Sequence, residues 1–496
     1  MYDAVDRNPA LTGEASVARG KAESYGLKSQ VLSPLETLGQ SVANIAPTGT
    51  PTVVIPLVFA AAGLGTWFAY AFALVAILLV SFSINVFTHR SASPGSLYTY
   101  VASGLGPAWG VVIGWALFIA YAACASSVTT GFANYVNVLA KAVLGTEHDL
   151  PAPALVAIIT LSVIGSWLVA YKDVRLSARM MLGLELLSVS FILLVIVASL
   201  VHNNFRIDTN QLALGDLTLS KLRLGLILAV FSFTGFESAA SLGSEARAPL
   251  RTIPRAVWQS ALFVGALFVV SSYVEVLGFA GNSIPLDKSD APLQVLATRA
   301  NVPFLGVLIT IGAVISFFAC VLASITAGSR VLFLMSRHGL LHRALGDAHQ
   351  ANETPHVAVA ATAGLALIPA VVMAAAGLGM FTIYGLIGTT ATLGFIVAYI
   401  AVSIAAPVYL RRRGELRWYH ALVSAAGIVL MDIALIGAVY PLPDAPNSYP
   451  IYAFALLLLL GTAWGISRYV GSARLRGQLR DDLAAIEIRY ENGGGI

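Results

Sequence analysis

Three runs of the chain, residues 37–88, 91–140 and 354–410, contain no Lys, Arg, Asp or Glu. Each is long enough for more than one bilayer crossing, because a membrane helix takes about 20 apolar residues. Inside these runs the apolar pattern is punctuated at Gly63 to Gly65, Ser93-Pro94-Gly95 and Gly377 to Gly379, where a helix is expected to turn. Divided there, the pattern predicts an all-α integral membrane protein of twelve transmembrane helices. They fall near 37–62, 66–88, 97–140, 152–171, 178–201, 223–246, 255–281, 302–336, 357–376, 380–409, 419–440 and 449–470.

Composition agrees: of 496 residues, 57% are apolar and 11% charged, against about a quarter charged in soluble domains. Cys124 and Cys320, both in apolar segments, exclude a disulfide framework and a multi-cysteine metal site. The first 30 residues are polar and are expected not to be a cleaved signal peptide. A pI near 9.0 invites a nucleic-acid reading, but the positions of the charges explain it differently. With twelve crossings and both termini cytoplasmic, 23 of the 29 Lys and Arg residues fall on the inner side; Lys141, Arg206, Lys221, Arg223, Lys288 and Arg299 fall on the outer side. That is the positive-inside asymmetry of a cell-membrane protein. The expected partners are thus lipid and a small molecule, with no nucleic acid.

The chain divides into a cytoplasmic segment 1–36, a first half 37–202 with helices 1–5, an extracellular loop 203–222, a second half 223–409 with helices 6–10, helices 11 and 12 over 410–472, and a tail 473–496. In the tail Leu475, Leu479, Leu483 and Ile486 recur at helical spacing, predicting an amphipathic helix on the cytoplasmic surface. Two spans at corresponding places in the halves are interrupted. Span 1 reads SVANIAPTGTPTVVIP and span 6 reads VFSFTGFESAASLG. Pro47 and Pro51 remove backbone donors and free carbonyls one turn earlier, so neither span is expected to be one continuous helix. Pro47 precedes Gly235 by 188 residues, and Pro107-Ala-Trp-Gly-Val-Val-Ile113 is echoed 196 residues later by Pro303-Phe-Leu-Gly-Val-Leu-Ile309. An inverted five-plus-five repeat with paired broken helices is the transporter pattern these features predict.

At this point the chain resembles the amino acid–polyamine–organocation permeases. The stretches that carry the resemblance are SPLETLGQSVANIAPTGT, SASPGSLYTYV, FSFTGFESAASLGSEARAPLRTIPRA, SRVLFLMSRHGLL and YGLIGTTATLGF, in the family's order across spans 1 to 10. The resemblance implies a LeuT-like fold and a secondary active transporter. An unwound helix offers backbone groups suited to a zwitterion. The amides of Thr48, Gly49 and Thr50 lie at the positive end of the second half-helix and can hold a carboxylate. The carbonyls around Ala43 to Ala46, Ile45 and Ala46 included, before Pro47, and those of Phe231, Ser232, Phe233 and Thr234, before Gly235, can hold an ammonium group. The resemblance implies the same division and makes Phe233 the aromatic that covers the substrate. Phe118, Tyr121 and Thr389 are further pocket candidates on the family's geometry, with helix packing as the competing role. No acid falls in spans 3, 8 or 10, so a neutral amino acid fits best.

Four acids lie at membrane depth: Glu185, Glu237, Glu275 and Asp432. An ionisable group there is a coupling candidate by default. Glu237 follows the span 6 break and can either tie the broken helix together or serve transport, whereas Glu275 and Asp432 are expected to be satisfied locally. Proton-coupled relatives carry a span 5 lysine where this chain has Ser188. That leaves Glu185 as a proton carrier, or Ser188 and Ser316 as ligands for sodium; the sole cofactor expected is such a coupling proton or sodium ion. Glu245 is expected to close the inner path by pairing with Arg90 or Arg251, and Arg330 and Arg337 to contact headgroups or the gate. A channel would want rings of pore charge, an enzyme a clustered acid–base or metal constellation, and an ATP-driven pump a Gly-Lys-Ser/Thr phosphate loop; the chain has none of these. The alternatives kept are a carrier of another small amine or organic anion, and a nutrient receptor on the same fold.

Overall fold

The computed structural model describes residues 25–483 except 147, 216, 290, 474 and 478, and leaves out the side chain of Leu224. Arg7, Arg19, Lys21, Arg474, Ile486 and Arg489 lie outside the described residues. Regular structure among the described residues is helical, with one backbone bridge between Leu32 and Ala246.

Helix α1 (Pro34–Ile45) starts where Ser33 and Glu36 cap each other. The Ser33 hydroxyl accepts from the Glu36 amide at 3.3 Å, and Glu36 accepts from the Ser33 amide at 2.8 Å. It stops at Ala46, which turns left-handed at φ 51°. A π-helical turn over Thr50–Val54 follows, then α2 (Ile55–Ala62) and α3 (Thr66–Thr88). Next come α4 (Leu97–Leu105), α5 (Pro107–Leu144), α6 (Ala152–Lys172), α7 (Val174–His202) and the short α8 (Thr209–Ala213). Helix α9 (Leu219–Phe231) and a 3-10 turn (Ser238–Leu242) precede α10 (Pro249–Phe279) and α11 (Pro292–Arg299). The remainder is α12 (Pro303–Arg337), α13 (His356–Ala375), α14 (Met380–Arg412), α15 (Trp418–Val439) and α16 (Tyr449–Gly471).

Ten helical stretches among the described residues are long and apolar enough to cross a membrane, where twelve spans were expected. The difference has two sources. Pro34–Thr88 runs as a single stretch that contains the first two spans, and the sixth is broken into pieces of 13 and 5 residues. The span expected over 97–140 is two helices: Gly106, at φ 105°, ends α4, and Pro107 occupies the first turn of α5. The expected loop 203–222 contains α8 and the first turn of α9, and the segment 1–36 runs into α1. The two echoed motifs do occupy like places, since Pro107 and Pro303 each open a long helix.

Helix α5 is the spine. It packs on α12, α14, α13 and α16, and its most apolar stretch is 78% buried against 22% for α16, which separates scaffold from periphery. The first and last described segments meet on one face: Tyr25 donates to Asp482 at 2.8 Å, Asp482 also bonds His338 at 2.7 Å, and the other His338 nitrogen bonds Tyr98 at 2.6 Å. Leu479 and Leu483 bury their side chains beside Ala102 and Tyr469, so the described part of the tail packs on the protein itself.

On that same face Arg90 donates to Glu415 at 2.6 Å. The bonds from Arg90 and then Arg413 outweigh slight burial and hold the Glu415 carboxyl below its usual range. A depressed carboxylate stabilises the fold above its unfolded pKa, and the effect fades as the pH falls through the folded value. Because both partners are substantially exposed, Glu415→Gln is expected to cost no more than about 1 kcal/mol at neutral pH. Thermal unfolding of the two proteins should converge in acid.

Candidate functional site

The two broken helices lie against each other and are stitched by polar contacts. The Ser41 hydroxyl accepts from the Ala239 amide at 3.0 Å, and the Ser238 hydroxyl donates to the Gln40 carbonyl at 3.2 Å. Gln40 in turn donates to Ala323 on α12 at 2.9 Å. The break in span 6 depends on Gly235, whose φ of 87° suits glycine and whose missing Cβ leaves space filled by the Asn44 side chain. At the other break a Cβ on Gly49 would come within 2.7 Å of the Phe317 ring.

Not all the backbone groups expected to meet a ligand are available. The amides of Gly49 and Thr50 both bond the Ala46 carbonyl, at 2.9 and 3.3 Å, because the chain re-enters a helix before Pro51 rather than after it. Of the three expected carboxylate donors, the Thr48 amide is left, beside a Thr48 hydroxyl that is fully buried without a partner. The carbonyls of Ala43, Asn44, Ala46, Phe231 and Phe233 are occupied by neighbouring donors. Among the described residues, Ile45, Ser232 and Thr234 thus keep open carbonyls around the breaks. The Ser232 hydroxyl bonds Tyr70 at 3.2 Å, and that of Thr234 bonds the Phe231 carbonyl at 2.8 Å.

Three buried acids sit around this core with defined partners. Glu237 accepts from Tyr121 of α5 at 2.8 Å and from Tyr399 of α14 at 2.6 Å, while the Tyr399 oxygen also accepts from the Gly235 amide at 3.2 Å. Glu185 on α7 receives the hydroxyls of Ser188 at 3.1 Å and Ser316 at 3.0 Å, so the three groups proposed for coupling converge on one carboxyl. Glu245 is fully buried and holds Arg330 with two bonds, 2.8 and 2.5 Å, in a fork that fits a guanidinium. This corrects the expected pairing of Glu245: Arg90 is committed to Glu415 and to the Val86 carbonyl, and Arg330, on α12, is the closer partner. Arg337, by contrast, is exposed, with its guanidinium over the rings of Tyr25 and Phe333.

The model of the amino acid permease family matches residues 37–440, from the start of α1 to the end of α15. The chain belongs to this family. Among curated relatives, the branched-chain amino acid permease BcaP of Bacillus subtilis (strain 168) is 23% identical over 82% of this chain and 84% of its own length. The low-affinity putrescine importer PlaP of Escherichia coli (strain K12) is 26% identical over 60% of this chain and 66% of its own. An uncharacterized transporter of Mycobacterium bovis (strain ATCC BAA-935 / AF2122/97), Mb2022c, is 28% identical over 82% and 86%.

The permease places its other candidates unevenly. Tyr121 reaches the break through Glu237, as described. Phe233 is fully buried, its ring edge-on to Phe268 of α10 at 5.4 Å. Phe118 faces a lateral groove of about 770 Å³ with Trp115, Leu365, Tyr449 and Trp464. The Thr389 hydroxyl bonds back to the Gly385 carbonyl of its own helix at 2.9 Å. The aromatic rings that do surround the breaks are Phe231, Phe317 and Tyr384, in mutual edge contact at 5.8 and 6.1 Å. Of the residues that sequence reasoning passed over, Asn44 carried a usable signal as the one side-chain amide in a charge-free run apart from Gln40 and residues beyond position 80. Phe317, Tyr384 and Tyr399 carried none, being ordinary members of apolar helices.

Proposed function

We propose that this permease is a secondary active transporter that moves a neutral amino acid across the cell membrane by alternating access, driven by a proton or sodium gradient or by exchange. The observation that carries the reading is the pair of adjacent helix breaks. They present open carbonyls at Ile45, Ser232 and Thr234 and an unpartnered Thr48 hydroxyl, in a chain of the amino acid permease family. In the proposed pose the α-carboxylate meets the Thr48 amide and hydroxyl and the α-amine meets the three carbonyls, with Phe231, Phe317 and Tyr384 around the side chain. The proposed architecture is twelve crossings, five plus five in inverted repeat and two more, with both termini in the cytoplasm. Glu245 and Arg330 then lie on the cytoplasmic side and close it.

A second reading, transport of a small amine, is favoured by one observation: Glu237 places a carboxyl, held by Tyr121 and Tyr399, next to Gly235. Purified protein in liposomes, offered labelled leucine, alanine and putrescine under imposed proton or sodium gradients, tests both. Uptake of the neutral amino acids is expected, uptake of putrescine alone would favour the second reading, and uptake of none would overturn both.

For coupling, Glu185 with its two hydroxyl donors favours a proton. In Glu185→Gln, accumulation driven by a pH gradient is expected to fall about tenfold per pH unit, the worth of one proton, while exchange without a gradient persists. Unchanged pH-driven accumulation would assign coupling elsewhere, and a dependence on sodium would point to Ser188 and Ser316 as its ligands.

A further inference from the structure

Glu275, on α10, is 1% exposed, and neither of its carboxyl oxygens has a hydrogen-bond partner. This contradicts the expectation that it would be satisfied locally. The contrast with its peers is sharp, since Glu185, Glu237 and Glu245 each hold two side-chain donors. One turn earlier the Ser271 hydroxyl is buried and equally without a partner. An apolar side chain would fill this place at no electrostatic cost, so packing alone does not account for an acid here.

Its surroundings place it beside the two breaks. Two turns before it, Phe268 touches Phe233 at 5.4 Å and Tyr70 at 5.8 Å. One turn after it, Gly278 leaves room beside Leu296 of α11 and the Ser199 hydroxyl of α7. The π-helical turn Thr50–Val54, directly after the span 1 break, packs on both α10 and α11. Glu275 therefore sits among α3, α7, α10 and α11, on the side of the breaks away from the Glu245–Arg330 pair.

The charged and titratable groups on the elements packed against α10 give it no counter-charge. On α3 the titratable group is Tyr70, a neutral phenol whose hydroxyl bonds Ser232 at 3.2 Å. On α7, His202 lies one turn beyond Ser199 and is exposed, and Glu185 is 14 residues from Ser199, about 21 Å along a helix. On α11, Arg299 gives its Nη2 to the Ala280 carbonyl at 3.2 Å, its Nη1 is buried without a hydrogen-bond partner, and the guanidinium forms no ion pair with Glu275; on the 3-10 turn Leu286–Lys288, Asp287 faces Lys288 at 3.8 Å. Glu36 on α1 belongs to Arg179, and Glu237 to its tyrosines. No cation pairs with Glu275 among the described residues. An ionised carboxylate with neither donor nor cation is not sustained at membrane depth, whereas the neutral acid is, with the Ser271 hydroxyl free to rotate onto it.

We propose that Glu275 is a second proton-binding site, distinct from Glu185, on the extracellular half of the transport path. A proton from the outer solution joins the carboxylate when the path is open to water, and the neutral acid is sealed in when α10 closes on the π-helical turn, as it is here. This deepens the transporter reading and rests on it for the direction of proton movement, though the proton site itself can be read without any substrate.

Infrared spectra of the purified full-length protein in lipid, titrated with pH with and without sodium, test the site. A carbonyl band of a protonated carboxyl is expected at neutral pH in the wild type, unaffected by sodium and absent from Glu275→Gln. Ser271→Ala, which leaves the acid in place, should shift that band and serves if the Gln variant does not fold. Wild-type and Glu275→Gln spectra that coincide, a band erased by sodium, or no shift in Ser271→Ala would each overturn the proposal. In liposomes, Glu275→Gln should lose about tenfold in accumulation per unit of pH gradient and keep exchange. Undiminished pH-driven accumulation would remove its role in coupling, whereas a chain that transports no amino acid at all would still show the band.

Discussion

Gly235→Ala is expected to reduce amino acid uptake by at least about tenfold, because forcing a side chain into this left-handed position costs on the order of 1–3 kcal/mol. The cost is larger than strain alone. The new Cβ would occupy the space of the Asn44 amide, and Asn44 anchors the other break through its Oδ1, which accepts from Ser324 at 2.8 Å, and its carbonyl, which accepts from Cys320 at 3.2 Å. One methyl group would thus disturb both half-helices together. The check is initial uptake in liposomes reconstituted at equal protein density, alongside the melting temperature in detergent. A melting temperature within a few degrees of the wild type with uptake intact would show that the break needs no glycine.

Arg330→Met is expected to be among the most damaging single substitutions in the chain. It would strand Glu245 at 0% side-chain exposure, and removing one member of a buried ion pair costs about 3–5 kcal/mol. Glu245→Gln should be milder, because the amide can still accept one guanidinium bond. The double variant Arg330→Met/Glu245→Leu removes both charges and should recover most of the folded yield. If the pair is also the cytoplasmic gate, the rescued double variant will fold yet leak, with labelled substrate running down its gradient faster than through the wild type. Equal recovery of folding and of tight transport would make the pair a structural tie alone.

How much of this was readable beforehand follows from what each feature depends on. The helical class and the two breaks follow from local chemistry: proline and glycine act on their own turn of backbone, whatever packs around them. Where the turn resumes is decided by tertiary contacts instead. The chain is helical again at Gly49, whose amide bonds Ala46, two residues before the proline that seemed to open the second half-helix, and this consumes two of the three amides expected to bind a carboxylate. Helix faces behave likewise. Glu185, Ser188 and Ser316 could be grouped because two are three residues apart on one helix and the third lies on a span expected to neighbour it. Phe118 and Tyr121 are also three apart, yet one meets the lateral groove and the other meets Glu237, since the small difference in angle between them falls at the boundary between two neighbouring helices. The partner of Glu245 was missed for a similar reason. Arg330 was expected to contact headgroups or the gate, but which face of α12 meets Glu245 is set by packing, and two turns inside the helix end at Arg337 it is 2% exposed.

The central claim, that a zwitterion is held by backbone at two adjacent breaks, is tested most directly by equilibrium binding of leucine to the purified protein in competition with two stripped analogues, isoamylamine without the carboxylate and 4-methylpentanoate without the amine. Each analogue abandons one set of open groups, and a hydrogen bond to a charged partner is worth about 1.5–3 kcal/mol. The expected result is that leucine binds and that both analogues bind at least about tenfold more weakly. Isoamylamine binding as tightly as leucine would contradict the account, because the Thr48 amide and hydroxyl would then recognise nothing.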